Sequence, residues 1–176
     1  MLTRELVIRS LHRLSDHLSE QGVVGELCLL GGTAMMLAFQ ARQTTKDVDA
    51  IFAPAREIRE AAKLVAQELA LEEDWLNDAA KGFLSPQGEF VEAPLPAWSN
   101  LRVLAPTPQY MLAMKVMAAR LETGPDKEDI TLLVNRLGLS SAPQALEIVL
   151  RYYDESKILP RSVYVLDEIF EEKGRK

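Results

Sequence analysis

The stretch LCLLGGTAMMLAFQARQTTKDVDAIF, Leu27 to Phe52, decides how this chain is read. Leu27 to Leu30 is a short apolar run that stops at Gly31-Gly32, which predicts a strand entering a tight turn. Thr33 is placed to cap a helix, and Ala34 to Gln40 supplies one or two helical turns. A polar link, Arg42 to Lys46, then leads into Asp47-Val48-Asp49-Ala50-Ile51-Phe52. Alternate side chains of a strand share a face, so Asp47 and Asp49 point the same way, about 7 Å apart at ~3.3 Å per residue. Val48, Ala50 and Phe52 are then directed to the core. Two carboxylates held that close repel each other unless a cation lies between them, and hard divalent cations take oxygen ligands.

Each part also has a plain structural reading. Gly31-Gly32 alone is a turn that needs no ligand; beside a helix N-terminus it also lets backbone N–H groups approach a phosphate. Asp-x-Asp alone is common on wet strand edges. Here the apolar residues around Asp47 and Asp49 place them at one end of a core strand, where metal binding is the stronger reading. Arg42, Thr44 and Thr45 either orient these acids, contact a phosphate, or form an exposed link.

The chain has 176 residues, 48% apolar and 26% charged, enough for one domain or one domain with a helical extension. No apolar run approaches the ~20 residues needed to span a bilayer, and the N-terminus lacks a secretory pattern. Cys28, the one cysteine, sits inside an apolar run and reads as a small buried hydrophobe, which suits a reducing cytoplasm. A net charge of −6 disfavours broad nucleic-acid binding. A local basic surface around Arg42, Lys46, Arg120 and Lys127 would still suit RNA.

The remaining chain predicts a mixed α/β first part and a helical second part. Thr3 caps a helix reaching about Glu20, with Leu6, Leu11, Leu14 and Leu18 on its apolar side and Gln21-Gly22 at its end. Pro54 opens a helix to about Leu71. Asp74 to Lys81 predicts a short helix, Phe90 to Glu92 a strand inside a proline-bearing loop, and Leu101 to Ala105 a further strand. Thr107-Pro108 starts a helix to about Glu122, which Gly124-Pro125 breaks. Helices over Asp126–Leu137, Pro143–Tyr153 and Arg161–Glu172 follow, and the last four residues read as a solvated tail.

Lys115 lies in a helix that is apolar nearly all round, so its ammonium either snorkels to the surface or meets an anion. A triphosphate or an acidic side chain would serve. Asp126 and Asp129 start the next helix, where negative charge is favourable; Asp129 is also placed to pair with Lys115 or reach the site. His12 and His17, Met111, Met114 and Met117, and Trp75, Trp98, Tyr152 and Tyr153 read as packing or surface residues.

Taken together, Gly31-Gly32-Thr33, Arg42-Gln-Thr-Thr45-Lys-Asp47-Val-Asp49, Lys115 with Ala118-Ala-Arg120, and Lys127-Glu-Asp129 resemble the AbiEii-type nucleotidyltransferases. These are minimal members of the DNA polymerase β-like superfamily, many of them toxins of toxin–antitoxin pairs. The resemblance covers about Leu27 to Leu133. It implies an α+β fold, a small mixed sheet flanked by helices, with residues 1–106 as the nucleotidyltransferase core and 107–176 as a helical part packed on it. It implies that Gly31, Gly32 and Thr33, with Arg42 and Thr45, hold the phosphates of a nucleoside triphosphate. Asp47 and Asp49 would bind Mg²⁺, Lys115 would neutralise the triphosphate, and Asp129 would position Lys115 or assist the attacking group. An NMP would pass to a protein, RNA (a tRNA end) or small-molecule acceptor, and a toxin would have a cognate antitoxin. Two departures stand out. Many relatives carry Gly-Ser where this chain has Gly31-Gly32, and the third carboxylate common in the superfamily has no counterpart on the strand Leu101 to Ala105, with Glu89 and Glu92 the nearest acids. A catalytically silent nucleotide- or partner-binding module and an antibiotic-type small-molecule nucleotidyltransferase are therefore the alternatives.

Overall fold

A five-stranded mixed sheet and seven α-helices make up the computed structural model, which describes residues 1–120 and 125–175. The chain forms two units, Met1–Gly82 with Phe90–Ala105, and Phe83–Glu89 with Pro106–Lys176.

The first unit opens with a two-residue strand β1 (Leu2–Thr3) and helix α1 (Arg4–Glu20). The Thr3 hydroxyl accepts from the Leu6 N–H at 3.2 Å, the N-cap that the sequence predicts, and such a cap stabilises a helix by about 1 kcal/mol. Strand β2 (Gly25–Leu29) leads into a short helix α2 (Gly31–Leu37). Then come β3 (Thr44–Thr45), β4 (Val48–Ala53) and helix α3 (Ala55–Leu69). Strands β5 (Leu76–Asn77), β6 (Phe90–Glu92) and β7 (Leu101–Pro106) complete a sheet of order β5-β4-β2-β7-β6. β2 pairs antiparallel with β4 and parallel with β7. β1 and β3 form a separate antiparallel pair that ties the polar link to the N-terminus.

Alternation along β2 separates the two faces of this sheet. At Gly25 side chains of both α1 and α3 press on the strand: a Cβ there would stand 2.8 Å from Leu18 Cδ1 and 3.1 Å from Ile58 Cδ1. Leu27 and Leu29 share that face and are fully buried, as are Val48 and Ala50 of β4, and Val103, the ladder partner of Leu27, is buried with them. Glu26, Cys28, Asp49 and Ile51 lie on the opposite face and are half-buried. Phe52, predicted to be core, is only half-buried, with the Arg59 guanidinium 5.3 Å above its ring.

The second unit is helical: α4 (Pro108–Ala118), α5 (Pro125–Arg136), α6 (Ala142–Tyr152) and α7 (Pro160–Gly174). Helix α4 is apolar all round because α5, α6 and α7 all pack against it. The Thr107 hydroxyl caps it through the Tyr110 N–H at 3.3 Å, as the sequence predicts. Helix α4 ends at Ala118, where Ala119 turns to an extended ψ of 136°, short of the expected end near Glu122; the break at Gly124 lies outside the described residues. At the other end of the chain, helix α7 continues to Gly174, where a solvated tail is predicted. Among the described residues no helix is long and apolar enough to cross a membrane.

Residues 83–89 belong to this helical unit because tyrosines grip them. The Tyr110 hydroxyl accepts from the Ser85 N–H at 2.8 Å, and the Tyr152 hydroxyl donates to Glu89 Oε2 at 2.6 Å. Gly88 lies against the hydroxyl end of Tyr110, where a Cβ would come within 2.6 Å of Cε1 and Cζ. The ring is fully buried and cannot swing aside. Gly88→Ala is predicted to destabilise the protein by about 1–3 kcal/mol, the usual range for overpacking, read as a lower midpoint in urea unfolding.

Candidate functional site

The tight turn from β2 into the start of α2 collects the first group of predicted residues. Gly31 adopts φ +52°, a left-handed conformation that glycine tolerates and other residues resist. A Cβ on Gly31 would stand 2.9 Å from Asp49 Oδ2, and a Cβ on Gly32 would stand 3.2 Å from both Arg42 Nη1 and Thr45 Oγ1. A carboxylate, a guanidinium and a hydroxyl thus close over two consecutive glycines. Their side chains arrive from β4, the polar link and β3.

The position of Asp47 follows from two hydroxyls. Thr33 Oγ1 donates to the Asp47 carbonyl at 2.8 Å, and Thr45 Oγ1 donates to the same oxygen at 3.0 Å, filling both of its lone pairs. Thr33 is therefore not the N-cap that the sequence predicts. Gly31 lets helix α2 begin three residues earlier, with extended Leu30 as the N-cap, and Thr33 is left fully buried inside the first turn. Asp47 also lies outside the strand expected to hold it: β4 begins at Val48, and Asp47 occupies the bend before it. Asp47 and Asp49 are both half-buried. The Leu30 N–H donates to the Asp49 carbonyl at 2.8 Å, which locks the end of β2 to β4 beside the turn.

Next to Asp49 the structure adds an element that sequence reasoning missed. Leu76–Asn77 is strand β5, parallel to β4, where a short helix is expected over Asp74–Lys81. Asn77 is the ladder partner of Asp49. A two-residue strand has no periodicity to detect; the only sequence signal is the Trp75-Leu76 pair, which buries both side chains.

The two acids named as nearest counterparts of a third carboxylate are engaged in other contacts. Glu92 accepts from Arg102 Nε at 2.7 Å, and Arg102 also holds Glu26 at 3.0 Å. In the ladder Glu26 faces Ala53, four residues and roughly 13 Å along β4 from Asp49. Glu89 belongs to the helical unit and accepts from Tyr152. Among the described residues no group of three or more His, Cys, Asp or Glu side chains could hold a metal ion. Two half-buried carboxylates nevertheless suit Mg²⁺, which is commonly bound by one or two carboxylates with substrate phosphates and water completing its shell.

Cys28 lies on the same sheet face as Asp49. Partial burial, aided by the nearby Glu26 charge, pushes its thiol up to about 11. The thiolate is scarce at neutral pH, so Cys28 is a poor nucleophile. Its alkylation by iodoacetamide is predicted to stay slow at pH 8 and to rise until about pH 11; a plateau near pH 8.5 would contradict this environment.

Lys115 and Asp129 lie in the other unit. Both are buried, and Lys115 Nζ reaches Asp129 Oδ2 at 2.7 Å and Asp126 Oδ1 at 3.1 Å. The anion that the apolar helix demands for its lysine is thus supplied by α5. The pair spans α4 and α5, and removing one partner of a buried pair costs about 3–5 kcal/mol because the other charge is stranded. Lys115→Met is predicted to destabilise by that amount in urea unfolding. The double variant Lys115→Met/Asp129→Leu should recover most of the loss, since apolar replacement of both partners is close to neutral.

His17 is buried and contacts Glu68 at 2.7 Å, in keeping with a packing role. Comparisons of this chain with protein-family models, curated proteins and solved structures gave no match.

Proposed function

We propose that the protein is a Mg²⁺-dependent nucleotidyltransferase with a nucleotidyltransferase-type fold, moving an NMP from a nucleoside triphosphate to an acceptor. The observation that carries this is the convergence of Asp49, Arg42 and Thr45 on the Gly31-Gly32 turn. Carboxylate, cation, hydroxyl and side-chain-free backbone in one place match the needs of a metal-bound triphosphate.

Within this site the chain's own residues have distinct tasks. Backbone N–H groups at Gly31 and Gly32 would bind phosphate oxygens, and Arg42 would balance their charge. Thr33 and Thr45 hold the bend at Asp47 through its carbonyl, which fixes where its side chain starts. Mg²⁺, held by Asp47 and Asp49, would supply charge neutralisation as pyrophosphate leaves. Lys115 and Asp129 enter through the resemblance alone; within their own unit they are accounted for as a buried ion pair.

The acceptor is a protein, an RNA such as a tRNA end, or a small molecule. A cytoplasmic toxin with a cognate antitoxin fits the resemblance. A silent nucleotide-binding module is the second proposal, favoured by the position of Glu26, Glu89 and Glu92, each engaged in a contact of its own. Incubating a cell extract with Mg²⁺, each nucleoside triphosphate labelled at its α-phosphate, and the protein separates the two. Label transferred to RNA or protein by the unmutated chain and lost by at least a hundredfold in a folded Asp49→Asn variant is the predicted result. Transfer by Asp49→Asn at the unmutated rate would overturn the metal assignment, and binding without any transfer would favour the silent module.

A further inference from the structure

A cavity of about 470 Å³ opens in the first unit, lined by Thr3, Arg4, Met36, Gln40, Arg42 and Thr44 among others, with Gln43 on its wall. Its volume is in the range of small-molecule sites, roughly 300–1,000 Å³. The cavity adjoins the glycine turn through two neighbouring residues. Arg42 lines the cavity while its Nη1 lies at Gly32. Strand alternation in β3 sends Thr45 to the turn and Thr44 to the cavity. A ligand with phosphates on the glycines therefore has the cavity next to it.

Gln40 takes φ +55° at the end of α2, where the Ala41 N–H closes on the Met35 carbonyl at 2.9 Å. Glycine or asparagine normally fills such a left-handed position after a helix. Ala70 takes the same conformation, φ +51°, at the end of α3, so the backbone here is a helix ending, and what sets Gln40 apart is that it lines the cavity. Gln40 and Gln43 each present a donor and an acceptor on one planar amide, the same pair that a nucleobase edge displays. Met36 adds a buried apolar contribution. Arg4 is fixed in the wall by donating to the Leu37 carbonyl at 2.9 Å.

We propose that this cavity takes the base of the nucleoside triphosphate, with Gln40 and Gln43 reading its edge. The proposal rests on the nucleotide reading of the glycine turn. It makes the chain selective for one base, with selectivity located in residues 40–44 while the phosphates are held at residues 31–32.

Calorimetric titration of the full chain with Mg²⁺ and ATP, GTP, CTP or UTP, alongside inorganic triphosphate, tests it. The unmutated protein should prefer one base by at least tenfold. Gln40→Gly should melt no lower than the unmutated chain, because glycine favours this left-handed helix ending, yet lose about tenfold of that preference. Gln43→Ala should lose a similar share, and inorganic triphosphate should bind all three proteins alike. Equal affinity for the four nucleotides in the unmutated chain, or full selectivity in both variants, would overturn the base site alone. Parallel loss of inorganic triphosphate would do the same by placing Gln40 in the phosphate cradle. Failure of the unmutated chain to bind any nucleotide or inorganic triphosphate would overturn the nucleotide reading itself and the base site with it.

Discussion

The first two residues of α2, Gly31 and Gly32, lie so close under Asp49, Arg42 and Thr45 that a Cβ clashes at the first and crowds at the second, and the local architecture follows from that constraint. Because Gly31 is left-handed, the helix starts immediately after the strand and Thr33 is carried inward to the Asp47 carbonyl. Because Gly32 has no Cβ, Arg42 and Thr45 can close from the other side. The β2–β4 ladder and the Leu30–Asp49 hydrogen bond then fix Asp49 at the turn. A substituent at Gly31 would displace Asp49, and the arrangement of acids and cation would be lost with it.

The sheet gives this cluster its accessibility. Helices α1 and α3 bury the face bearing Gly25, Leu27 and Leu29, leaving Asp49 on the other. One strand therefore serves both stability and chemistry: Val48 and Ala50 anchor β4 in the core, and Asp49 between them projects away from it. The ion pair of Lys115 with Asp129 plays a corresponding structural part in the helical unit, joining α4 to α5 where an unpaired ammonium would be costly.

Much of this was legible in local signals. Thr3 and Thr107 mark their helices because a side-chain cap acts within three residues. The main strands follow from the apolar run at Leu27–Leu30, the alternation at Val48–Phe52 and the segment Leu101–Ala105, while the mixed sheet was implied by the resemblance. Features set by distant partners were not legible. β5 exists because β4 offers it a ladder, and β3 because the N-terminus pairs with it. The role of Thr33 depends on the left-handed φ of Gly31, which glycine permits but does not dictate. Of the proposed site, the glycines and Asp49 meet as the spacing suggests, whereas Asp47 sits in a bend and Asn77 came into view only through strand pairing.

The central claim is that the Gly31-Gly32 turn and Asp49 form one metal–phosphate site. Paramagnetic NMR tests it directly, by adding Mn²⁺ with a non-hydrolysable nucleoside triphosphate to isotope-labelled protein. The account predicts selective broadening of the amide signals of Gly31, Gly32, Asp47 and Asp49, dependent on the nucleotide being present. Broadening centred elsewhere, or none at these four amides at saturating ligand, would contradict it.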